Sequence, residues 1–534
     1  MNNVWYVLII LFLIVGSGHS GEAKSYYVNA TAGNNSNNGL SAEKAFRTLQ
    51  KAADYTVAGD TVFVMNGIYK KDASWSSDVV IEESSGTESA WIVWINYPGH
   101  KPKISFDCWR GFNIKGSYIE INGLTVQGNN SNMTPEQALN QPKSCANPAG
   151  SFDARFNGNG ISVDGRSGTR YHHITVRNCE VYDCGGAGIT FIQSDYTTIE
   201  NNIVYNNSWY TLWASSGISL WQNWNSDSST GVKNIIRNNI CYGNWQYVPA
   251  IAFNCSFTDG NGIIIDDSDN TQNSSTLGSY LGRTLIENNL VFRNGGSGIH
   301  TFLSRHVDII NNTAYMNSLS EHLNGGQIFP NASADIRIFN NILVASAGKR
   351  INSNWNNKGA IIYDYNLHYG GSSASLTGVH TIVADPQFID AANDDYRLDP
   401  KSPAVDAGVS SLGNSAAPSF DMINNVRPYN DKFDIGAFEY TPVTSANNRE
   451  IRATDKRFSV FPNPASDYVM VTPFGTGGDF LEISFFNIMG QILLKTGRIH
   501  SQETLKIHLN LPPGQYYLVA DDQLSRYHEK LVIR

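Results

Sequence analysis

The chain has 534 residues and a formal net charge of −9, from 38 Lys and Arg against 47 Asp and Glu. Only 16% of the residues are charged and 41% are hydrophobic, so the chain can form a core and is not intrinsically disordered. An acidic balance without blocks of Lys or Arg argues against nucleic acid as a partner, because nucleic-acid binding requires a basic patch.

A run of apolar residues at positions 7–15 is followed by small residues up to position 23. The run is too short to span a bilayer but suits the apolar region of a signal peptide. We therefore predict a signal peptide at residues 1–23 and an exported protein, with a buried strand at the chain start as the alternative. No later segment approaches the roughly 20 apolar residues of a transmembrane helix, so none is expected.

The cysteines agree with export to an oxidising compartment. They are Cys108, Cys145, Cys179, Cys184, Cys241 and Cys255. Many pairings are possible and the sequence does not choose among them, but Cys179–Cys184 and Cys241–Cys255 require the shortest loops. The absence of a CxxC pair makes a zinc site unexpected.

Residues 42–55 have the apolar spacing of an amphipathic helix, and residues 60–64 alternate like a strand. A short helix at this point would cover the open end of a repetitive core, as terminal repeats require.

One phrase, a pair of polar residues between two short apolar runs, recurs through the middle of the chain. Its aligned asparagines are Asn178, Asn202, Asn239, Asn289, Asn312 and Asn341. Their spacings of 24, 37, 50, 23 and 29 residues indicate a short repeat with insertions, which is typical of a parallel β-solenoid. Stacked amides would form a hydrogen-bonded ladder along the axis, and asparagine tolerates the left-handed backbone of a corner.

A second phrase, Gly-Ile followed by alternating residues, stands before five of those asparagines and predicts another strand of each rung. It begins at Gly160, Gly188, Gly217, Gly262 and Gly298. Extra residues follow the third and fourth copies, and residues 245–258 precede the fourth. Insertions in solenoids gather on one face, often the binding face.

The opening block (residues 25–71) and these rung phrases resemble the secreted right-handed parallel β-helix proteins of the pectate-lyase superfamily. The resemblance covers about residues 25–370 and implies an all-β fold: a right-handed parallel β-helix at 24–440, with its N-terminal cap at about 24–70. Residues 384–440 look like the closing module found after such β-helices. Its Asp-rich turns either bind calcium or form a polar cap of Asx turns.

A polar linker (441–456) precedes a tail of alternating strands with Pro and Gly turns, as in a small β-sandwich. Landmarks at 462–464, 487–490, 511–516 and 530–532 closely resemble the C-terminal sorting domain of type IX secretion cargo. The resemblance covers 457–534 and implies export across the outer membrane in the manner of Bacteroidetes, with the type IX machinery as partner. The tail would then be removed or exchanged for a surface anchor. The alternative is a carbohydrate-binding sandwich.

Side chains from successive rungs line up about 4.8 Å apart, which suits a polymeric substrate. Counting from each Gly-Ile phrase, Asp266 and Asp267 follow Trp221 and Gln222 of the rung before. His300 lies on the next rung, and Arg305 and His306 stand in the turn after it. We expect this set to converge beside the long insertions.

Two chemistries could use these residues. β-Elimination from a uronic acid requires a neutralised carboxylate and a base. Ca²⁺ held by Asp266 and Asp267, with Asp269 or Asp259, would neutralise it, and His300, His306 or Arg305 would be the base. In the pectate lyases the base is typically Lys or Arg, and here no lysine stands beside the Asp pair.

Glycoside hydrolysis instead needs two carboxylates, one as acid and one as base or nucleophile. The Asp pair and His300 are similar in layout to polygalacturonase-type β-helix hydrolases, although the Asn-Thr-Asp, Gly-His-Gly and Arg-Ile-Lys motifs of those enzymes are absent. The alternative is that the Asp pair only forms a turn with satisfied Asx bonds.

Tryptophans crowd the inserted rungs and suit saccharide binding, since indole faces stack on sugar rings; loop packing is the alternative. With Gln222, we expect Trp213, Trp221 and Trp224 to contact substrate. The sequence thus predicts a secreted, monomeric enzyme that cleaves a polysaccharide, first as a lyase and second as a glycoside hydrolase. A non-catalytic glycan-binding or adhesin β-helix is the rival from a different class.

Overall fold

The computed structural model describes residues 23–71 and 77–442. Of the tail it describes 458–533 except 462, 464, 466–467, 474–479, 488–491, 497–498, 501–503, 510, 512–513 and 522–525. The predicted signal peptide, apart from its last residue, and the linker from residue 443 onward lie outside the described residues.

Three long parallel sheets form the walls of a solenoid, and the chain visits them in the order first, second, third on each rung. In the described part, the first sheet has ten strands: Asp78–Glu82, Arg110–Ile114, Asn159–Asp164, Ile189–Ile192, Ile218–Trp221, Ile263–Asp266, Ile299–Phe302, Ile328–Asn331, Arg350–Asn352 and Ser373–Ala374.

The second sheet has eleven described strands: Ser25–Val28, Thr61–Val64, Ile92–Asn96, Ile119–Asn122, His172–Arg177, Asp195–Glu200, Val232–Arg237, Arg283–Glu287, Arg305–Ile310, Ala334–Phe339 and Ile361–Asp364. The third, likewise counted over the described residues, has eleven: Ile68–Tyr69, Lys103–Ser105, Thr125–Gln127, Glu180–Tyr182, Ile203–Tyr205, Ile240–Tyr242, Leu290–Phe292, Thr313–Tyr315, Ile342–Ala345, Leu367–Gly370 and Ile382–Val383.

The helices are short. The α-helices are Leu49–Ala53, Pro135–Leu139 and Ala154–Asn157, and the 3₁₀ turns are Ala42–Lys44, Asn130–Asn132, Ile251–Phe253, Gln272–Ser274 and Ala391–Asn393. The helix predicted at 42–55 is therefore two pieces, because Thr48 caps Leu49–Ala53 by accepting a hydrogen bond from the Lys51 N–H. Leu49, Ala52 and Ala53 are buried against the first rungs, as a cap requires.

The corner between the second and third sheets carries the predicted amide ladder. Each Nδ2 donates to the Oδ1 of the next rung at 2.9–3.0 Å, through Asn202, Asn239, Asn289, Asn312, Asn341 and Asn366. The alignment of Asn178 with this ladder was wrong by one residue. Cys179 occupies the ladder position, and its N–H donates to Asn202. Asn178 instead has a φ of 54°, like Asn201 at 59°.

A second ladder, absent from the sequence analysis, lies at the corner between the third and first sheets. It consists of Asn207, Asn244, Asn294, Asn317 and Gln327, joined at 2.8–3.1 Å. Its asparagines stand five residues after those of the first ladder, a spacing that the sequence itself displays.

The closing module folds back along the first ladder's corner. Nδ2 groups of left-handed residues that precede ladder asparagines donate to its backbone: Asn288 to Phe420, Asn311 to Asp434 and Asn340 to Val409. Its short hairpins are Phe388–Asp390 with Asp395–Leu398 and Ser411–Leu412 with Ser415–Ala416. Asp421 accepts from the N–H groups of Ile423 and Asn425, as in a polar cap with Asx turns.

Both locally chosen disulfides were wrong, because the structure joins Cys145 to Cys255. The strand Glu180–Tyr182 separates Cys179 from Cys184, and an extended segment of that length exceeds the roughly 7 Å limit between bridged Cα atoms. Cys241 faces the core with Val204 and Val291 as cross-strand neighbours.

The described part of the tail forms two antiparallel sheets. One contains Phe458–Phe461, Tyr468–Pro473 and Leu505–His508, and the other contains Phe480–Asn487, Ile492–Lys495, Ile499–His500, Gly514–Asp521 and Arg526–Ile533. Val469, Val471, Ile483, Phe485 and Leu518 form part of its core. Asn463, from the first sorting landmark, accepts a hydrogen bond from the Val532 N–H.

Candidate active site on the first sheet

The outer face of the first sheet presents two columns of side chains that alternate with core residues along each strand. Strand register aligns the inner column, Ser162, Thr190, Ser219, Ile264 and His300, and the outer column, Asp164, Ile192, Trp221, Asp266 and Phe302. The predicted proximity of Trp221 to Asp266 is thus present, and His300 lies on the adjacent rung and column.

Insertions flank both edges of this face. Residues 129–158, 206–217 and 243–261 are the entry loops that lead into the sheet, and a disulfide joins the first of them to the third. Ala138, Phe156, Tyr210, Leu212 and Val248 pack these entry loops together. Residues 222–231 and 267–282 leave the sheet, and the Nδ2 of Asn270 donates to the carbonyl of Asn223 at 2.8 Å. The outer face of the first sheet therefore lies between two sets of loops, and we call it the groove.

His300 is the most unusual side chain in this groove. It follows core residue Ile299, faces outward, and is only 7% exposed. Neither ring nitrogen has a hydrogen-bond partner, although the ring stacks on Phe329 with centroids 4.7 Å apart. Burial lowers the pKa of His300 to about 3, so the imidazole is neutral. Leaving buried polar atoms unpaired costs about 1–3 kcal/mol each, which points to a role other than stability.

Unpaired polar atoms continue along the same column. The hydroxyl oxygens of Ser162 and Ser219 are buried without a partner. Together with His300, they place hydrogen-bonding groups on every second rung, about 10 Å apart, with Thr190 and Ile264 on the rungs between them.

Two carboxyl groups near this column have raised pKa values: Asp266 at the end of its strand, and Asp259 in the loop before that strand. Asp266 is partly exposed, and burial, followed by the charges of Asp259 and Asp267, holds its pKa well above the ordinary value. Its Oδ1 accepts from the Gln272 Nε2 at 2.7 Å. Asp259, on the entry loop, accepts from Asn261 and Ser216, and burial raises its pKa to about 6. Both environments favour the protonated acid.

Asp267 differs from its neighbour. It has a φ of 52°, which turns the chain away from the strand, and it is fully buried. Its two oxygens accept from Gln222, from the Gln272 N–H and from both the N–H and hydroxyl of Thr271. These contacts give Asp267 the turn-forming role that was the alternative for the pair.

The other predicted polar residues do not join the column. Asp269 forms an ion pair with the Arg305 guanidinium. His306 lies on the second sheet, where its Nδ1 is 2.6 Å from the Asp335 Oδ2. Gln222 is buried and donates to Asp267 at 2.9 Å, so its amide is already engaged.

The three predicted aromatic residues lie in three different places. Trp221 is partly exposed beside Asp266, and the Arg166 guanidinium lies 5.6 Å from its ring centroid. Trp224 lies on the exit loop, 6.3 Å from the ring of His172. Trp213 lies on an entry loop and is 39% exposed.

The aspartates predicted to bind calcium do not fit a calcium site. Asp267 has both oxygens occupied by hydrogen bonds, and Asp269 is neutralised by Arg305. Across 23–71, 77–442 and the described parts of the tail, no three His, Cys, Asp or Glu side chains are arranged to hold a metal ion. Calcium therefore enters no step below.

Sequence reasoning missed Arg166 and considered Asp259 only as a metal ligand. Arg166 stands in a short turn two residues after Asp164, to which it donates through two nitrogens. The signal for Asp259 was its place at the end of the insertion that leads into the Asp266 strand.

Comparisons with known proteins follow the two parts of the chain. Residues 26–327 match a family described as "Pel9A-like, right handed beta helix region", and residues 459–534 match one described as "Secretion system C-terminal sorting domain". The second match confirms the predicted sorting tail and export by type IX secretion to the cell surface or beyond. No helix in the described residues is long and apolar enough to cross a membrane.

No curated protein matches the chain. Solved structures similar to it include the pectate lyase Pel9A, at 17% identity with a TM-score of 0.46, covering 79% of this chain and 97% of that one. A rhamnogalacturonan lyase is 14% identical, with a TM-score of 0.38 and coverages of 69% and 91%. The family 28 exopolygalacturonase of Yersinia enterocolitica is 12% identical, with a TM-score of 0.38 and coverages of 71% and 70%.

Proposed function

Because the chain belongs to the family of Pel9A-like right-handed β-helix regions, we propose that it is an enzyme that cleaves an anionic polysaccharide by β-elimination. The reaction takes place in the groove of the first sheet, and the protein acts as a monomer. The observation that carries this proposal is the neutral, buried and unpaired imidazole of His300 beside the raised-pKa carboxyl of Asp266.

β-Elimination needs a base and an acid on the same sugar. The base removes the C5 proton of a uronate, the C4–O4 bond breaks, a C4–C5 double bond forms, and O4 takes a proton. His300 accepts the C5 proton, and Asp266 donates its proton to O4. Solvent then restores both groups, so the protein is unchanged after each turnover.

The pKa values suit these roles once substrate is bound. His300 is unprotonated in the free protein, and an anionic carboxylate beside it would raise its pKa and strengthen it as a base. Asp266 has a raised pKa and therefore retains the proton that the leaving oxygen needs.

The substrate carboxylate must be neutralised so that the C5 proton becomes acidic. Arg166, near the ring of Trp221, provides the nearby cation, because its side chain is 52% exposed although it pairs with Asp164. Trp221 provides a partly exposed face for the sugar ring next to Asp266.

Glycoside hydrolysis is the second candidate, and it is favoured by a second carboxyl with a raised pKa, Asp259, whose charge also raises the pKa of Asp266. In that reaction Asp266 protonates the glycosidic oxygen, while Asp259, whose pKa is about 6, acts as the base in its ionised form. The two reactions leave different products, since only elimination forms an unsaturated sugar.

The test incubates the purified full chain with polygalacturonate, alginate and a neutral polysaccharide. New ultraviolet absorbance from an unsaturated uronate supports elimination, and reducing ends without that absorbance indicate hydrolysis. Binding without either product contradicts the enzyme proposal and supports the glycan-binding alternative. His306→Gln is the matched control for His300→Gln, since His306 lies on another sheet, where its ring contacts Asp335. Loss of activity in His306→Gln but not in His300→Gln would mean that His300 is not the base.

A further inference from the structure

Three aromatic side chains that the proposed reaction does not use form an exposed patch on the entry side of the first sheet. Phe152 and Trp213 are 37% and 39% exposed, and their rings stack with centroids 4.2 Å apart. Trp109 is partly exposed and lies 6.1 Å from Trp213. Phe152 covers one face of the Trp213 ring, so the exposed part of that indole lies on its remaining surface. We call these residues the aromatic patch.

The fold brings the patch together because the rung between its loops has no insertion. A Cβ on Gly185 would lie 2.2 Å from the Phe156 carbonyl oxygen, and one on Gly186 would lie 2.3 Å from the Asn159 Oδ1. The Gly185 carbonyl also accepts from the Thr211 N–H at 3.0 Å. The loops that carry Phe152 and Trp213 therefore close over these two glycines.

A fixed cation borders the patch. The Lys143 ammonium lies 4.9 Å from the Phe152 ring centroid and donates to the carbonyls of Pro148 and Gly150 at 2.5 and 3.4 Å. The disulfide two residues further on ties this loop to the neighbouring insertion. An exposed aromatic surface beside a positioned ammonium is complementary to a pyranose ring that carries a carboxylate.

The patch lies before the strands whose far ends carry the reacting groups. Trp109 and Trp213 precede the strands Arg110–Ile114 and Ile218–Trp221, and the second of these ends at Trp221 beside Asp266. A strand of four residues is about 13 Å long, so the patch and the reacting groups are separated by more than one sugar.

We propose that the aromatic patch is a second saccharide subsite, which binds a uronate residue of the polymer away from the bond that is cleaved. The ring of that residue packs on Trp213, and its carboxylate pairs with Lys143. The identity of the polymer rests on the proposed function, but the subsite itself requires only binding.

The test measures binding of polygalacturonate and alginate by affinity electrophoresis, using the full chain with Asp266→Asn so that no cleavage interferes. Trp213→Ala should weaken binding about threefold to tenfold, and Trp213→Tyr should restore most of it. Lys143→Gln should weaken binding at low salt and lose its effect at high salt. Trp355→Ala removes a tryptophan that is 58% exposed on another loop and should leave binding unchanged.

Wild-type binding by both Trp213→Ala and Phe152→Ala would overturn the subsite, as would failure of the unchanged protein to bind either polymer. In the active protein, Trp213→Ala should slow cleavage of long chains and leave the shortest cleavable oligosaccharide unaffected. Cleavage with no effect of Trp213→Ala at any length would refute the subsite and leave the proposed function standing. If Trp213→Ala weakens binding but no polymer is cleaved, the subsite stands and the proposed function is refuted.

Discussion

At the corner between the second and third sheets, buried amides pair with one another from Asn202 to Asn366, whereas on the outer face of the first sheet the buried polar atoms of Ser162, Ser219 and His300 have no partner. Asn289 donates to the next amide and accepts from the previous one, while His300, one rung phrase further along the chain, makes no hydrogen bond. Both sets are buried in the same solenoid. From this difference we infer that the paired set stabilises the fold and that the unpaired set is available to bind substrate.

The largest expected effect comes from residues on the outer face of the first sheet, where substitutions should reduce activity much more than stability. Asp266→Asn and His300→Gln should each reduce the cleavage rate by about a hundredfold to ten-thousandfold, the usual contribution of a proton-transfer group. His300→Gln should lower the melting temperature only slightly, because the histidine loses its stacking on Phe329 but no hydrogen bond. Steady-state rates and thermal unfolding check the two parts. A His300→Gln protein that is destabilised but has normal activity would contradict this, since it would mean that His300 stabilises the fold and does not act on substrate.

On the paired side, Asn289→Ala should lower the free energy of unfolding by about 3–5 kcal/mol. The change leaves the carbonyls of Ile236 and Glu287 and the amide groups of Asn239 without their partner. Urea unfolding measures it, with Asn132→Ala as the control, since that exposed amide bonds only to Asn129. Equal effects from the two variants would mean that the ladder does not hold the fold.

Glu82 is a buried carboxyl group that has hydrogen-bond partners, and its ionisation should affect the stability of the protein and not its activity. It accepts from Thr56, Trp94 and the Ser84 N–H, and burial raises its pKa to about 7 from 4.5. The unfolded chain releases this proton first, so the free energy of unfolding should fall by about 3 kcal/mol as pH rises from about 4.5 to 7. Glu82→Gln should remove this part of the pH dependence, which unfolding at several pH values tests. An unchanged slope would contradict the assignment.

A smaller effect should appear in the pH profile of cleavage. The rate should fall as pH rises through the raised pKa of Asp266, because the acid form is consumed. Asp259→Asn removes a charge that raises this pKa, so the alkaline limb should move to lower pH. A loss of all activity in Asp259→Asn would instead favour hydrolysis with Asp259 as the base.

The smallest expected effect is that of chelation. Because Asp267 and Asp269 are already paired, removing calcium should change neither the cleavage rate nor the melting temperature. If chelation abolishes cleavage and added Ca²⁺ restores it, the prediction is wrong and these aspartates rearrange to bind the ion.

The amide corner was largely predictable, and the site was less so. The repeated asparagines predict a ladder, because identical side chains on successive rungs stack on one another. On one rung Cys179 takes the ladder position, and the neighbouring Asn178 was therefore aligned with the ladder by mistake. Asp266 and Asp267 look equivalent in the sequence. Only the backbone distinguishes them, since the strand ends at Asp266 and Asp267 turns inward at φ 52°. The burial that sets the pKa values of Asp259 and His300 depends on loops that no local pattern describes.

The most direct measurement is a crystal structure of the Asp266→Asn protein with a bound uronate oligosaccharide. The account predicts a sugar on the outer face of the first sheet, with a ring nitrogen of His300 within hydrogen-bonding distance of it and a pyranose ring on Trp221. An oligosaccharide bound to the second or third sheet, with both His300 nitrogens still unpaired, would contradict it.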